Sequence, residues 1–145
     1  EFRCFVRDKQ LLAVSQRHTS AFLPHLADSS FTDAVVRNVQ DFFTTCVSPN
    51  FPLERYAFDV LVGRPPRHKV HLVDFSPWAP STDPLLLEWS ELAELPSTAR
   101  SLPEFRAVRS EAETRARLES YHSLPLEVAE LGVTSAEEME ELCKR

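Results

Sequence analysis

Two aspartates set among apolar residues, Asp59 in Phe58-Asp59-Val60 and Asp74 in Val73-Asp74-Phe75, are the side chains of this sequence best suited to holding a metal ion. The runs that carry them, Ala57 to Val62 and Lys69 to Phe75, are apolar and β-branched. Between them lies Gly63-Arg64-Pro65-Pro66-Arg67-His68, a string of turn formers, so the pattern is that of a β-hairpin. With the loop centred between Pro66 and Arg67, Val62 faces His71, Leu61 faces Leu72 and Asp59 faces Asp74. Directly opposed Cβ atoms lie about 4.5–5.5 Å apart, a separation at which two carboxylates repel unless something positive stands between them. Magnesium suits that place, because it takes oxygen ligands and often only one or two protein carboxylates, with water and phosphate completing its shell. Ser76, two residues beyond Asp74, projects from the same face and can add a hydroxyl oxygen. On spacing alone an alternative stays open: either aspartate could be solvated or paired with Arg67 or Lys69.

The elements that must position these residues can be read along the chain. Phe2, Cys4 and Val6 alternate with other residues, and Leu11 to Val14 resume a β-like run after Arg7-Asp8-Lys9-Gln10, which predicts a first hairpin. From Phe31 to Val47, Val35, Val39, Phe42, Phe43 and Cys46 follow helical spacing, with Ser30 as the expected N-cap and Asp33 in a capping-box place. Pro49 and Pro52 stop that helix. Asp83 before Pro84 resembles a cap with proline at the first helical position, which predicts a short buried helix over Leu85 to Leu92.

Residues 96–123 turn polar, with alternating Glu and Arg, and read as either a mobile loop or a charge-laced helix held by Glu111–Arg115 and Glu113–Arg117 pairs. Thr134-Ser135 would cap a last helix whose first turns are acidic and whose end carries Lys144 and Arg145. The expected fold is therefore α+β, antiparallel β-hairpins packed with helices. Residues 1–95 form its main body, 96–123 a polar segment and 124–145 a helical tail.

Composition excludes several functions. A net charge of −6 has the wrong sign for a general nucleic-acid binder, and no apolar run approaches the length of a membrane span. Cys4, Cys46 and Cys143 are odd in number and lack paired spacing, which argues against a disulfide framework or a zinc knuckle and fits a reducing compartment such as the cytosol. With only Gly63 and Gly132, no glycine-rich phosphate loop exists in this stretch. The histidines show no zinc spacing, and Ser15 has no nucleophile-elbow context. Trp78 and Trp89 are expected in the core. Starting at Glu1 in what already reads as a strand, the chain is expected to be a fragment.

The wording Phe58-Asp59-Val60, Leu72-Val73-Asp74-Phe75-Ser76-Pro77-Trp78 and Thr82-Asp83-Pro84-Leu85-Leu86, with Trp89 and Glu91-Leu92, resembles the cell division cycle protein 123 family. Glu1-Phe2-Arg3-Cys4-Phe5-Val6 and Ser15-Gln16-Arg17 are similar to the same family in the same order. The resemblance runs to Leu92 and implies the C-terminal part of an ATP-grasp-like fold. It also implies a cleft for ATP and magnesium, and a role as an assembly chaperone for translation initiation factor 2 acting through its gamma subunit. It would place magnesium on Asp59, Asp74 and Ser76, where the family pattern has asparagine in place of serine, and would set Arg3 and Arg17 near the phosphates, a task that suits arginine. The simple register of the first hairpin does not put Arg3 and Arg17 on one face. The family's proteins also carry an upstream half with a nucleotide-contacting lysine, so this chain alone is expected to bind ATP poorly or not at all. An ATP-grasp ligase or phosphotransferase and a nucleotide-free interaction module are the competing expectations.

Overall fold

The computed structural model describes residues 1–97 and 102–114. Its centre is a five-stranded sheet of β1 (Phe2–Arg7), β2 (Gln10–Gln16), β3 (Tyr56–Val62), β4 (Val70–Pro77) and β5 (Glu104–Arg106), in the order β4-β3-β1-β2-β5. All neighbours are antiparallel except β5, which runs parallel to β2. The α+β class expected from the hairpins holds, and the sheet is mixed rather than purely antiparallel.

Strand β1 lies in the middle and is buried on both faces, so its alternation sorts residues between two cores. Phe2, Cys4 and Val6 join Val14, Phe58 and Val60 against Val35, Val39 and Phe43 of the helical segment. That segment is α1 (Ser29–Phe42), which continues as a π-helical turn over Phe43–Val47. Phe5 points the other way, to Ala13, Ala57, Leu87 and Leu92, with Trp78, Trp89 and Leu95 packed around them. The second face is thus roofed by the segment that follows β4, including the short helix α2 (Trp89–Glu94).

Three local expectations change. The N-cap of α1 is Asp28, whose carboxylate accepts hydrogen bonds from the backbone N–H of Ser30 at 2.9 Å and from its hydroxyl at 2.8 Å. Ser30 itself already lies in the first turn, so it is a capped residue and not the cap. No helix starts at Leu85, which sits at φ 60. The Asp83 carboxylate accepts instead from the Leu85 N–H at 2.8 Å, a turn-forming bond that competes with helix entry. Helix α2 begins only after Glu88, which shares a reciprocal capping box with Glu91.

The polar segment is not solely a loop or a helix, because Glu104–Arg106 pair with Ala13, Val14 and Ser15 of β2, and Pro103 and Val108 are buried. The buried Gln16 carboxamide fixes this strand's exit, accepting from the Val108 N–H at 2.9 Å. The ion pairs to Arg115 and Arg117 and the C-terminal helix fall outside the described residues.

Candidate functional site

Two β-bulges build the site. Near its turn, the first hairpin pairs Arg7 with Gln10 and Val6 with Leu11, but beyond it Phe5 pairs with Ala13, leaving Leu12 as an extra residue. The bulge shifts register by one and so exchanges the faces of everything beyond it. Arg3 then stands opposite Ser15, with Arg17 two residues further on the same face. The simple hairpin register, which separated Arg3 from Arg17, is corrected by this one residue.

In the second hairpin the pairs nearest the loop are Val62–Val70, Leu61–His71 and Val60–Leu72, one step away from the expected register. Val73 is then the extra residue, and past it Asp59 pairs with Asp74 and Ala57 with Ser76. The expected facing of the two aspartates is present, reached through a bulge rather than a regular ladder. As a result Asp74, Asp59, Arg3, Ser15 and Arg106 are successive cross-strand partners in one polar row across all five strands.

Asp59 is the hub of that row. Arg3 donates from Nε to Asp59 Oδ1 at 2.8 Å and from Nη2 to Oδ2 at 2.9 Å, a two-pronged pairing of side chains each 8% exposed. These hydrogen bonds, against the opposing effect of burial, raise the Arg3 guanidinium above its ordinary pKa. Arg17 brings its Nε to 3.5 Å from Asp59 Oδ2. The positive charge facing Asp59 is therefore supplied by Arg3 and Arg17, not by Arg67 or Lys69 as the alternative reading had it.

The Arg17 Nε is buried and has no hydrogen-bond partner among the described residues. Asp74, on the edge strand, is exposed, and its Oδ1 accepts from the N–H of Phe75 at 2.8 Å. Ser76 is half-buried one row along. Each carboxylate oxygen has lone pairs beyond those engaged by arginine, so Asp59 and Asp74 can still take a hard cation while Arg17 offers a donor to an anionic oxygen. This set of groups fits a ligand that brings both. Among the described residues no three His, Cys, Asp or Glu side chains gather into a metal-binding group, so any metal here would draw on two carboxylates, the Ser76 hydroxyl and its other ligand's oxygens.

Arg3 also donates from Nη1 to the Asp83 carbonyl at 3.0 Å, and the Ser15 hydroxyl oxygen accepts from the Leu86 N–H at 3.3 Å. The strap from Asp83 to Leu87 is thereby tied to the polar row, a role for Ser15 that its sequence context did not disclose. Behind the strap the Trp89 indole donates to the Thr82 carbonyl at 3.2 Å, and Trp78 meets Trp89 edge-on with ring centres 5.0 Å apart. Arg7 anchors the far end by donating to the Leu92, Ala93 and Leu95 carbonyls at the end of α2. Arg106 closes the row through ion pairs to Glu91 and Glu104, both at 3.2 Å.

The D123 family model matches residues 1–132. A protein of Phaeosphaeria nodorum named cell division cycle protein 123 is 48% identical over 63% of this chain and 23% of its own length. A protein of Aspergillus niger named translation initiation factor eIF2 assembly protein is 35% identical over 97% of this chain and 39% of its own. The solved structure of Cdc123 from Schizosaccharomyces pombe superposes with a TM-score of 0.65 at 31% identity, covering 75% of this chain and 40% of that one. The chain thus spans less than half the length of these relatives. Its sequence match and its fold together place it in one family: the chain belongs to the D123 family.

Proposed function

We propose that the polar row holds a magnesium–ATP complex, and that this chain serves in the assembly of translation initiation factor 2 through the factor's gamma subunit. Relatives that bear the name translation initiation factor eIF2 assembly protein support the assembly role. The observation that carries the first part is the buried Arg17 Nε, 3.5 Å from Asp59 Oδ2 yet without a hydrogen-bond partner among the described residues, across from the exposed carboxylate of Asp74. A buried donor left unpaired costs about 1–3 kcal/mol, which a phosphate oxygen would offset.

In this reading Asp59 and Asp74 hold magnesium, with Ser76 as a further oxygen ligand, while Arg3 and Arg17 keep Asp59 oriented and address the phosphates. When bound, magnesium supplies charge neutralisation between the carboxylates and the phosphate oxygens. Arg3, by holding both Asp59 and the Asp83 carbonyl, keeps the strap in register with the site. Binding to the folded state alone stabilises it by mass action, which suits a scaffold that must present a partner surface.

The test is capture of the gamma subunit by this chain with and without magnesium–ATP, repeated with Asp59→Asn combined with Asp74→Asn. Capture that rises with the nucleotide and loses that rise in the double variant is expected. If the double variant leaves both nucleotide binding and capture unchanged, the proposal fails.

A further inference from the structure

Strand β4 is one edge of the sheet, and among the described residues it has a strand on one side only. Its residues His71 to Asp74 are all exposed. Leu72 is 42% and Val73 54% exposed, and Leu61, the β3 partner of His71, is 50% exposed. Of the large hydrophobics exposed among the described residues, only Leu53 lies elsewhere. An edge with apolar side chains and free backbone groups is a template for another strand.

The other side of the same edge carries a concavity. A cavity of about 210 Å³ opens between β4 and the end of the helical segment, lined mainly by Phe42, Cys46, Val47, Phe51, Leu72 and Phe75. The Phe51 and Phe75 rings stack at 4.1 Å in its wall. An added strand alternates its side chains between faces, so one set would enter this cavity while the next lies against the Leu61 and His71 side. Asp74 and the bulge at Val73 end the regular edge, which limits the seat to the part of β4 nearest the loop.

Charge indicates the occupant. The chain is acidic overall, yet from Val60 to Val73 it contains no Asp or Glu and carries Arg64, Arg67 and Lys69. All three are exposed. This basic tip adjoins the free edge and favours an acidic partner. We infer that the β4 edge, from Val70 to Val73 beside Lys69, is a docking site for an extended segment that alternates acidic and apolar residues and adds to the sheet as a strand.

The probe is a short, end-blocked peptide alternating glutamate with valine, compared with one alternating lysine with valine, each titrated into the 145-residue chain. Backbone amide exchange is read alongside. The glutamate peptide is expected to bind at least ~10-fold more tightly, to weaken with salt, and to slow exchange in β4. Leu72→Asp should abolish this, and Arg64→Glu with Arg67→Glu should reverse the preference between peptides. All three positions are exposed, so these variants should keep the wild-type circular dichroism. Equal binding of both peptides, or protection away from β4, would overturn the inference. So would a dimer dispersed by Leu72→Asp, which would assign the edge to a second copy of the chain.

Discussion

Arg3→Met removes one half of a buried pair, and its consequence can be worked from the geometry. It deletes two charge-assisted bonds to Asp59 and one to the Asp83 carbonyl. Breaking such a pair costs about 3–5 kcal/mol because the remaining charge is left buried. Arg17 still stands 3.5 Å from Asp59 Oδ2, which sets the expected loss at the low end, about 3 kcal/mol. Against a total of about 5–15 kcal/mol for a domain, that is a large fraction. In urea unfolding followed by Trp78 and Trp89 fluorescence, the midpoint should fall by about 1–2 M. Combining Arg3→Met with Asp59→Leu removes both charges, and this double variant should recover at least ~1 kcal/mol of the single variant's loss. A single-variant loss under ~1 kcal/mol, the range of an exposed pair, or a double variant less stable than Arg3→Met, would refute the view that this pair is a desolvated charge pair.

Deleting Val73 removes the extra residue of the β4 bulge, so Asp74 follows Leu72 directly and should stay opposite Asp59 in a now regular ladder, which cross-strand contacts in a nuclear Overhauser spectrum would register; Asp74 turned away from Asp59 would refute the assignment of Val73 as the bulged residue. The Asp28 carboxylate, hydrogen-bonded by Ser30, and the Glu91 carboxylate, bonded by the Glu88 N–H and Arg106, both lie below their usual range. The stability they contribute is therefore fully present above the ordinary carboxylate range, about pH 4, and is lost as pH falls through the depressed folded values. Asp28→Asn with Glu91→Gln should flatten thermal stability against pH in that acid window. Burial, reinforced by the Asp59 charge, pushes the Cys4 thiol well up, whereas Cys46 is exposed. On a Cys143→Ser background, a thiol reagent at pH 8 should label Cys46 rapidly and Cys4 only on unfolding.

The sequence disclosed what depends on local pattern. Both hairpins follow from apolar, β-branched runs bounded by turn formers, and the helix over the Val35, Val39 and Phe43 face follows from periodicity, because only that face is buried. It did not disclose what depends on a single inserted residue. Leu12 and Val73 look like ordinary strand residues, yet each displaces a register, and only the displaced registers bring Arg17 and Asp74 to the row of Asp59. The facing of the aspartates was reached by a regular count that is wrong near the loop and right beyond the bulge.

Strand β5 was hidden because three residues amid charge carry too little pattern, and its place is fixed by the distant Gln16 side chain. The late start of α2 was hidden by Asp83, whose carboxylate can cap a helix or close a turn. It closes a turn because Leu85 adopts a left-handed backbone. The partner of Asp59 was likewise a long-range matter, since Arg3 lies fifty-six residues away in sequence.

In the function proposed above, Asp59, Asp74 and Ser76 face a shared cation beside the Arg3 and Arg17 side chains. Manganese substituted for magnesium broadens nuclear magnetic resonance signals near it even when binding is weak, so the decisive measurement is the amide spectrum of this chain titrated with manganese–ATP. Broadening centred on Asp59, Asp74 and Ser76, requiring ATP and abolished by Asp59→Asn with Asp74→Asn, is the expected result. Broadening that spares these residues, or that persists unchanged in the double variant, would contradict it.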